Sequence, residues 1–212
     1  MVEWRERVAV EKRAAFRKED YWGRPVPGFG DPEARVLVVG LAPAAHGANR
    51  TGRMFTGDRS GDWLYGALHR AGFANQSASV AADDGLELNG VYITAGVRCA
   101  PPLNKPTVAE RDACAPYLRR ELRYFLPRLA VVVVLGGFAF QLTLRTLADE
   151  ELSIPKPRPK FGHLAEVKVG SLSVLASYHP SQQNTFTGRL TEPMFDQVWT
   201  RAKRLSEQSE GL

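Results

Sequence analysis

The sequence has no apolar run that approaches the roughly 18 residues needed to cross a bilayer. Residues 1–7 also have none of the apolar character that begins a secretory signal. We therefore expect a cytoplasmic protein without membrane contact. The 212 residues, 44% hydrophobic and 24% charged, are enough for one sizeable core, so a single domain is expected.

Several common motifs of nucleotide-binding and hydrolytic proteins are also missing. The chain has neither the Gly-x-Gly-x-x-Gly of a dinucleotide site nor the Gly-Lys-Ser/Thr of a P-loop. It has no Gly-x-Ser-x-Gly and no His-Glu-x-x-His. Only two cysteines are present, Cys99 and Cys114, and without an export signal we do not expect a structural disulfide. They are either buried thiols or half of a metal site.

What is present is a pattern of alternating strands and helices. Continuous apolar or β-branched runs indicate buried strands, and apolar residues at helical spacing indicate the helices between them. Thr107 and Glu110 have the spacing of a capping box, which marks where one helix begins. We predict strands at 36–40, 90–97 and 130–135, a hairpin at 167–177 whose second arm joins the sheet, and helices at 62–72, 107–125, 138–149 and 191–206.

This alternation predicts an α/β fold, a three-layer α/β/α sandwich around a central, four-stranded, mostly parallel sheet. Ligands bind such sheets at the carboxyl ends of the strands. We expect the loops that leave those ends to converge in one cleft. These loops cover residues 42–58, 98–105, 136–137 and 179–187. The first is rich in Gly, Pro and Ala and follows a buried strand, so it is the predicted active site.

Four segments of these loops carry a family resemblance. Residues 40–47 read Gly-Leu-Ala-Pro-Ala-Ala-His-Gly, and residues 50–58 read Arg-Thr-Gly-Arg-Met-Phe-Thr-Gly-Asp. Residues 104–107 read Asn-Lys-Pro-Thr, and residues 178–185 read Tyr-His-Pro-Ser-Gln-Gln-Asn-Thr. The chain closely resembles the type B (family 5) uracil-DNA glycosylases over nearly its whole length. The resemblance implies an α/β/α enzyme of base-excision repair that removes uracil, hypoxanthine and ethenocytosine from DNA.

The chemistry of that reaction assigns roles to matching residues. Breaking an N-glycosidic bond builds positive charge on the sugar, which a carboxylate can stabilise, or the carboxylate can orient the attacking water. Asp58 is the candidate carboxylate, the alternative being a turn residue that caps the next helix. His179 can donate a hydrogen bond to the carbonyl of the leaving base, the alternative being a structural histidine. Asn104 places water or base, or is only a turn residue.

Other residues are expected to form the base pocket. Phe55 offers a flat face on which a flipped base can stack, although in most loops such a residue belongs to the core. Ala95 stands where uracil-restricted relatives carry a base-reading asparagine, which predicts a broader range of bases. Gly40, Ala42 and His46 complete the predicted pocket, with a role in bracing the loop left open for His46. His69 and His163 are predicted to be structural.

A duplex must be gripped while a base is turned out of it, so basic and short polar side chains are expected near the pocket. The net charge of +5 suits a polyanion, although solvated surface explains the same charges. The loop after His179 is predicted to wedge into DNA, the alternative for Asn184 and Thr185 being an Asx-type turn. The predicted DNA contacts are Arg50, Arg53, Ser181, Gln182, Gln183, Asn184 and Thr185, with Lys105 and Arg189 as further phosphate contacts.

The resemblance also implies a four-iron, four-sulfur cluster held by four cysteines. Cys99 and Cys114 match the second pair of ligands, whereas the first Cys-x-x-Cys pair is absent from this sequence. Four soft donors are needed to hold a cluster, so these 212 residues as written are expected not to bind one. Residues 1–33 are accordingly predicted to be an N-terminal helix and lead-in, truncated relative to the family or belonging to a cluster-free member.

Two other functions compete with catalysis. A DNA-binding protein of the same fold that no longer cleaves would be indicated by loss of Asp58 or His179, and both are present. A hydrolase of small nucleotides would not need the Arg-rich first loop or the polar loop after His179. We expect a monomeric enzyme whose partner is DNA containing deaminated bases.

Overall fold

The computed structural model describes residues 1–208, and within them one six-stranded sheet runs through the molecule. Its strands are β1 (Phe29–Gly30), β2 (Val36–Gly40), β3 (Val91–Ala95), β4 (Val131–Leu135), β5 (Glu166–Val169) and β6 (Leu172–Ser177). The helices are α1 (Val2–Glu11), α2 (Ala48–Thr51), α3 (Arg59–Arg70), α4 (Val108–Phe125), α5 (Gly137–Asp149), α6 (Gln182–Phe186) and α7 (Glu192–Gln208).

The strand order is β1-β3-β2-β4-β6-β5. The four middle strands are mutually parallel, and an antiparallel strand lies at each edge. The predicted α/β sandwich is therefore confirmed, with six strands instead of four. The hairpin adds both of its arms to the sheet, and β1 escapes sequence analysis because two residues show no periodicity.

Strand β2 shows why the sheet is covered on both faces. Val36 and Val38 belong to an apolar core under α3 and α7, whereas Leu37 and Val39 belong to a second core under α4 and α5. Alternate side chains of a strand face opposite sides of the sheet, and here helices cover both sides. All five residues of β2 are therefore buried. A run of Val and Leu is therefore what this position requires.

The connections place a topological switch point between β2 and β4. The chain leaves β2 through α3 towards β3 on one side, and leaves β4 through α5 towards β6 on the other. Loops that depart in opposite directions open a crevice at the carboxyl ends of the strands, called here the carboxyl edge. No helix within residues 1–208 has both the length and the apolar character of a membrane span.

Candidate active site

The backbone of the first loop is held by Arg50, which lies on the short helix α2. Its Nε donates to the carbonyl of His46 at 2.9 Å, and an Nη atom donates to the carbonyl of Gly57 at 3.2 Å. The guanidinium also forms an ion pair with Glu19 from the N-terminal segment. One buried side chain thus joins both ends of the loop that the sequence predicts as the active site.

The guanidinium of Arg53 is also held by partners within the fold. Its guanidinium pairs with Asp84 at 2.7 Å and donates to Ser79 at 2.6 Å and to Thr56 at 3.0 Å. Burial works to raise the pKa of Asp84, but Arg53 and three backbone N–H groups lower it to about 2. The sequence predicts phosphate contacts for Arg50 and Arg53, whereas the structure buries both and pairs both with carboxylates. They brace the loop, because each guanidinium has partners within the fold.

Phe55 forms the apolar wall of the site. Its backbone is left-handed, with φ of 54°, and its ring lies directly on the backbone of Gly40 at the end of β2. A Cβ added at Gly40 would lie 2.8 Å from the Phe55 ring, so only glycine permits this contact. The preceding carbonyl, that of Met54, accepts a hydrogen bond from the Tyr65 hydroxyl at 2.7 Å. The loop and α3 therefore fix the ring in place.

Asp58 is the N-cap of α3, and one of its oxygens is used for that purpose. Oδ1 accepts a hydrogen bond from the Gly61 N–H at 3.1 Å. The other oxygen, Oδ2, lies against Gly47, where an added Cβ would be only 2.1 Å away. Burial raises the pKa of Asp58, opposed by hydrogen bonds from the Gly61 and Ser60 N–H groups. The capping alternative raised from the sequence is real, and it leaves Oδ2 facing the first loop.

His179 meets this loop from the other side of the crevice. Its imidazole stacks on Phe55, with ring centroids 5.9 Å apart and planes at 29°. Burial lowers the pKa of His179 to about 4, so the ring is neutral at physiological pH. Residues 55 and 179 are far apart in sequence, and the parallel strands β2 and β6 bring their loops together at the carboxyl edge.

Other residues that the sequence predicts for the site follow strands that end at the same edge. Ala95 ends β3 beside Gly40 in the strand register and is buried in the same core as Phe55. Ala42 is half-buried just beyond Gly40. The backbone of Asn104 is left-handed, with φ of 55°, in a short 3-10 turn after β3, and its side chain is exposed. No hydrogen bond within residues 1–208 occupies its side-chain amide.

His46 has a partner that sequence reasoning missed. The Tyr21 hydroxyl lies 3.0 Å from His46 Nδ1, and the two rings meet edge to face. Burial, followed by the nearby Arg13 and Arg50, lowers the pKa of His46. Tyr21 belongs to a segment with no regular pattern, so no periodic signal could have drawn attention to it. Its contact with His46 depends on the tertiary packing of residues 19–23 against α2.

The loop after His179 contains a short helix where the sequence predicts only a polar loop. Gln182 and Gln183 are exposed on α6, and Ser181 is its N-cap. Asn184 Nδ2 donates to the His179 carbonyl at 2.9 Å, so this amide ties the helix to the site. Thr185 donates weakly to the Gln182 carbonyl. Arg189 is exposed and its guanidinium lies 4.6 Å from the Tyr178 ring centroid.

The two remaining histidines lie outside this cluster. His163 Nε2 contacts the Met194 carbonyl, its Nδ1 accepts from the Tyr178 N–H, and its ring stacks on Tyr178. These contacts support the structural role predicted for His163. His69 lies in the last turn of α3.

The cysteines form a separate cluster beneath α1. Cys99 and Cys114 are buried free thiols, and Cys114 is near enough to contribute to raising the pKa of Cys99. Arg5 of α1 donates to Cys99 Sγ. Burial raises the pKa of the Cys99 thiol, partly offset by Arg5. Within residues 1–208 no three metal-binding side chains of the His, Cys, Asp or Glu type come together. Two thiols and a guanidinium do not supply the four donors of a cluster.

Comparison with known proteins agrees with this geometry. Residues 27–203 match the model of the uracil DNA glycosylase superfamily. The chain is 56% identical to a type-5 uracil-DNA glycosylase of Mycobacterium bovis, over 97% of this chain and 76% of that protein. It is 55% identical to the type-5 enzyme of Mycobacterium leprae, over 97% and 89% of the two chains, and 53% identical to that of Thermus thermophilus, over 97% and 91%. The chain therefore belongs to the uracil DNA glycosylase superfamily and, within it, to the type-5 family.

Proposed function

We propose that this protein hydrolyses the N-glycosidic bond of uracil in DNA, and also releases other deaminated or damaged bases such as hypoxanthine and ethenocytosine, as the first step of base-excision repair. One observation carries the proposal. A half-buried carboxylate, Asp58, lies on the same loop as an aromatic ring, Phe55, that is stacked on a neutral imidazole, His179. These are the groups that a departing base and a cationic sugar require.

In the proposed reaction the bond between C1′ and the base nitrogen breaks, and its electron pair leaves with the base. The sugar then carries positive charge, which the Asp58 carboxylate stabilises. A water molecule adds its oxygen to C1′, and its proton ends on the departed base. The cap bond from Gly61 to Oδ1 holds the carboxylate, so that it need not reorganise as charge develops.

His179 acts on the leaving base. Because its pKa lies near 4, the neutral ring has an N–H to donate at physiological pH without carrying a charge into the pocket. A hydrogen bond to a carbonyl oxygen of the base is strongest as that oxygen becomes anionic. The stack on Phe55 sets the plane of the imidazole. His46 and Asn104 are assigned to binding of base or water around this centre.

The breadth of substrates follows from the pocket wall. A site built to hydrogen-bond one base rejects analogues because its own polar groups are then left unpaired. Ala95 carries no side-chain amide, and Phe55 offers only a ring face, so stacking and shape set the selection at these two positions. Removal of hypoxanthine and ethenocytosine is therefore expected beside removal of uracil.

Fewer residues are proposed to contact DNA than the sequence indicates. Arg50 and Arg53 are paired within the fold. Exposed candidates remain on α6 and in the turn after β3, and Arg189 adds positive charge beside them. Asn184 is set aside as well, because its Nδ2 donates to the His179 carbonyl. The remaining proposed contacts are Ser181, Gln182, Gln183, Thr185, Lys105 and Arg189.

The deciding experiment uses labelled duplexes that carry a single uracil, hypoxanthine or ethenocytosine. The purified chain is incubated with each duplex, and alkali then reveals abasic sites as strand breaks. Breaks at several lesions, lost in Asp58→Asn and in His179→Ala, would support the proposal. Binding to the duplex without abasic sites would instead indicate a DNA-binding protein that no longer cleaves. Activity on free deoxyuridine alone would indicate a hydrolase of small nucleotides.

A further inference from the structure

A histidine outside the site cluster uses both of its ring nitrogens. His163 Nδ1 accepts a hydrogen bond from the Tyr178 N–H at 3.3 Å, and His163 Nε2 lies 3.2 Å from the Met194 carbonyl oxygen. A backbone N–H only donates and a carbonyl only accepts, so the ring that satisfies both is neutral with its proton on Nε2. Burial lowers the pKa of His163, opposed by the Met194 carbonyl, which favours this neutral form at physiological pH. His163 therefore links the end of β6 to the first turn of α7.

The ring of His163 also packs on the residue whose backbone it holds. The rings of His163 and Tyr178 are stacked, with centroids 5.2 Å apart and planes at 25°. Phe161 meets the Tyr178 ring edge to face, and the Arg189 guanidinium lies 4.6 Å from the same ring centroid. His163 thus contacts both the backbone and the side chain of Tyr178, the residue directly before His179.

The backbone that leads through His179 has a partner at successive polar groups. The Tyr178 carbonyl accepts from the Ser177 hydroxyl at 2.9 Å, and the His179 carbonyl accepts from Asn184 Nδ2 at 2.9 Å. The Tyr178 N–H is the donor in this run that a distant side chain, His163, accepts. Removal of that acceptor would leave the donor unpaired at the point where the chain leaves β6 for the site.

The orientation of His179 depends on this support. Within the part of the chain that the structure describes, its imidazole makes no hydrogen bond, and its ring contact is the stack on Phe55 at 5.9 Å. The backbone from which the ring projects must therefore set where its N–H points. A displacement of a reacting group by about 1 Å can cost about 100-fold in rate, so a small shift of this backbone is enough to matter.

We propose that His163 is a positioning residue for His179. The hydrogen bond from the Tyr178 N–H to His163 Nδ1 fixes the end of β6, and this keeps the His179 imidazole on Phe55 with its N–H directed at the leaving base. The inference rests on the proposed function for the role of His179. It assigns His163 no contact with DNA or with the base, because His163 acts through the backbone of Tyr178.

Two substitutions separate the two hydrogen bonds of His163. The side-chain oxygen of asparagine is as many bonds from Cβ as Nδ1 of histidine, so His163→Asn keeps an acceptor for the Tyr178 N–H. The side-chain nitrogen of glutamine is as many bonds from Cβ as Nε2, so His163→Gln keeps a donor for the Met194 carbonyl. Both variants lose the ring stack, so similar decreases in Tm are expected. His69, exposed in the last turn of α3, provides matched controls in His69→Asn and His69→Gln.

The first test measures single-turnover uracil release at saturating enzyme and at a temperature where every variant is folded. His163→Gln is expected to slow release by about tenfold to 100-fold, because His179 is displaced. His163→Asn and both His69 variants are expected to remain close to wild type. Affinity for a duplex with a tetrahydrofuran abasic analogue should be the same in all of them. Equal losses of rate in the two His163 variants, or a wild-type rate in His163→Gln, would overturn the proposal.

A second measurement needs no catalysis, so it decides the matter even if the wild type releases no uracil. NMR titration of the histidine side chains follows the pKa of His179, which burial lowers to about 4. The signal of His179 is identified by its loss in His179→Ala. His163→Gln should raise this pKa towards the ordinary value of about 6.5, because the ring leaves its buried stack. His163→Asn should leave it low, and a low pKa of His179 in both variants would refute the positioning role.

Discussion

Asp58 offers the sharpest test because its two oxygens have different neighbours. Oδ1 caps α3 through the Gly61 N–H at 3.1 Å, and Oδ2 lies against Gly47 in the first loop. Asp58→Asn keeps an oxygen for the cap and removes the charge, whereas Asp58→Ala removes both. The pair of variants therefore separates helix capping from chemistry.

The cost in stability is expected to differ between the two variants. Loss of an N-cap side chain costs about 1 kcal/mol of unfolding free energy, which lowers Tm by about 2–4 °C in a chain of this size. Asp58→Ala should show that loss. Asp58→Asn should show little of it, because asparagine caps helices as well as aspartate does. Thermal unfolding of the three proteins under identical conditions measures the difference.

The pH dependence of stability provides a further check on Asp58. Burial raises the pKa of its carboxyl in the folded chain, so the folded state holds this proton more tightly than the unfolded state. The contribution of Asp58 to stability is therefore largest at low pH and is lost as pH rises from the ordinary aspartate range through the raised pKa. Asp58→Asn should lack this decline. Denaturant unfolding at a series of pH values measures it.

Activity should not follow stability. Both variants are expected to lose about 100-fold or more in the single-turnover rate of uracil release, since both lack the carboxylate charge. In the wild type the rate should fall as pH drops into the raised pKa of Asp58, because the ionised form is required. A rate for Asp58→Asn comparable to wild type would refute the chemical role and leave capping as the function of this side chain.

Two further predictions concern α3 and the N-terminal segment. Gly61→Ala should destabilise the fold by about 1–3 kcal/mol, because its Cβ would lie 1.7 Å from the Phe55 carbonyl oxygen. Gly66→Ala, on the same helix with no contact under 3.4 Å, should instead stabilise it by about 0.5–1 kcal/mol, and denaturant unfolding compares the two. Tyr21→Phe removes the hydroxyl beside His46 and should raise KM for uracil-containing duplex while leaving Tm nearly unchanged; an unchanged KM would show that the contact only braces the loop.

Much of the scaffold could be predicted because its signals are local. The apolar run at 130–135 is typical of a strand buried on both faces, and the structure has such a strand at Val131–Leu135. Thr107 and Glu110 form the capping box expected from their spacing. The edge strand β1 could not be predicted in this way. Strand β1 has two residues and pairs with β3 some sixty positions later, so neither its length nor its neighbours could indicate it.

The predicted site loops do converge, since parallel strands direct their following loops to one edge whatever the loop sequences are. What each side chain does within the loops was not predictable in the same way. The imidazole of His179 makes no hydrogen bond within residues 1–208, whereas Arg53, equally polar in sequence, is buried against Asp84.

The sequence by itself determined the order of strands β2 to β6 and of helices α3, α4, α5 and α7, the buried character of the middle strands and the loops that carry the site. These depend on patterns within a few residues of each other. Only the tertiary structure decided that Arg50 and Arg53 are internal, that Tyr21 contacts His46 and that His163 links Tyr178 to Met194. Each of these outcomes depends on a contact between residues that are distant in sequence. Such contacts are determined by the packing of the chain as a whole.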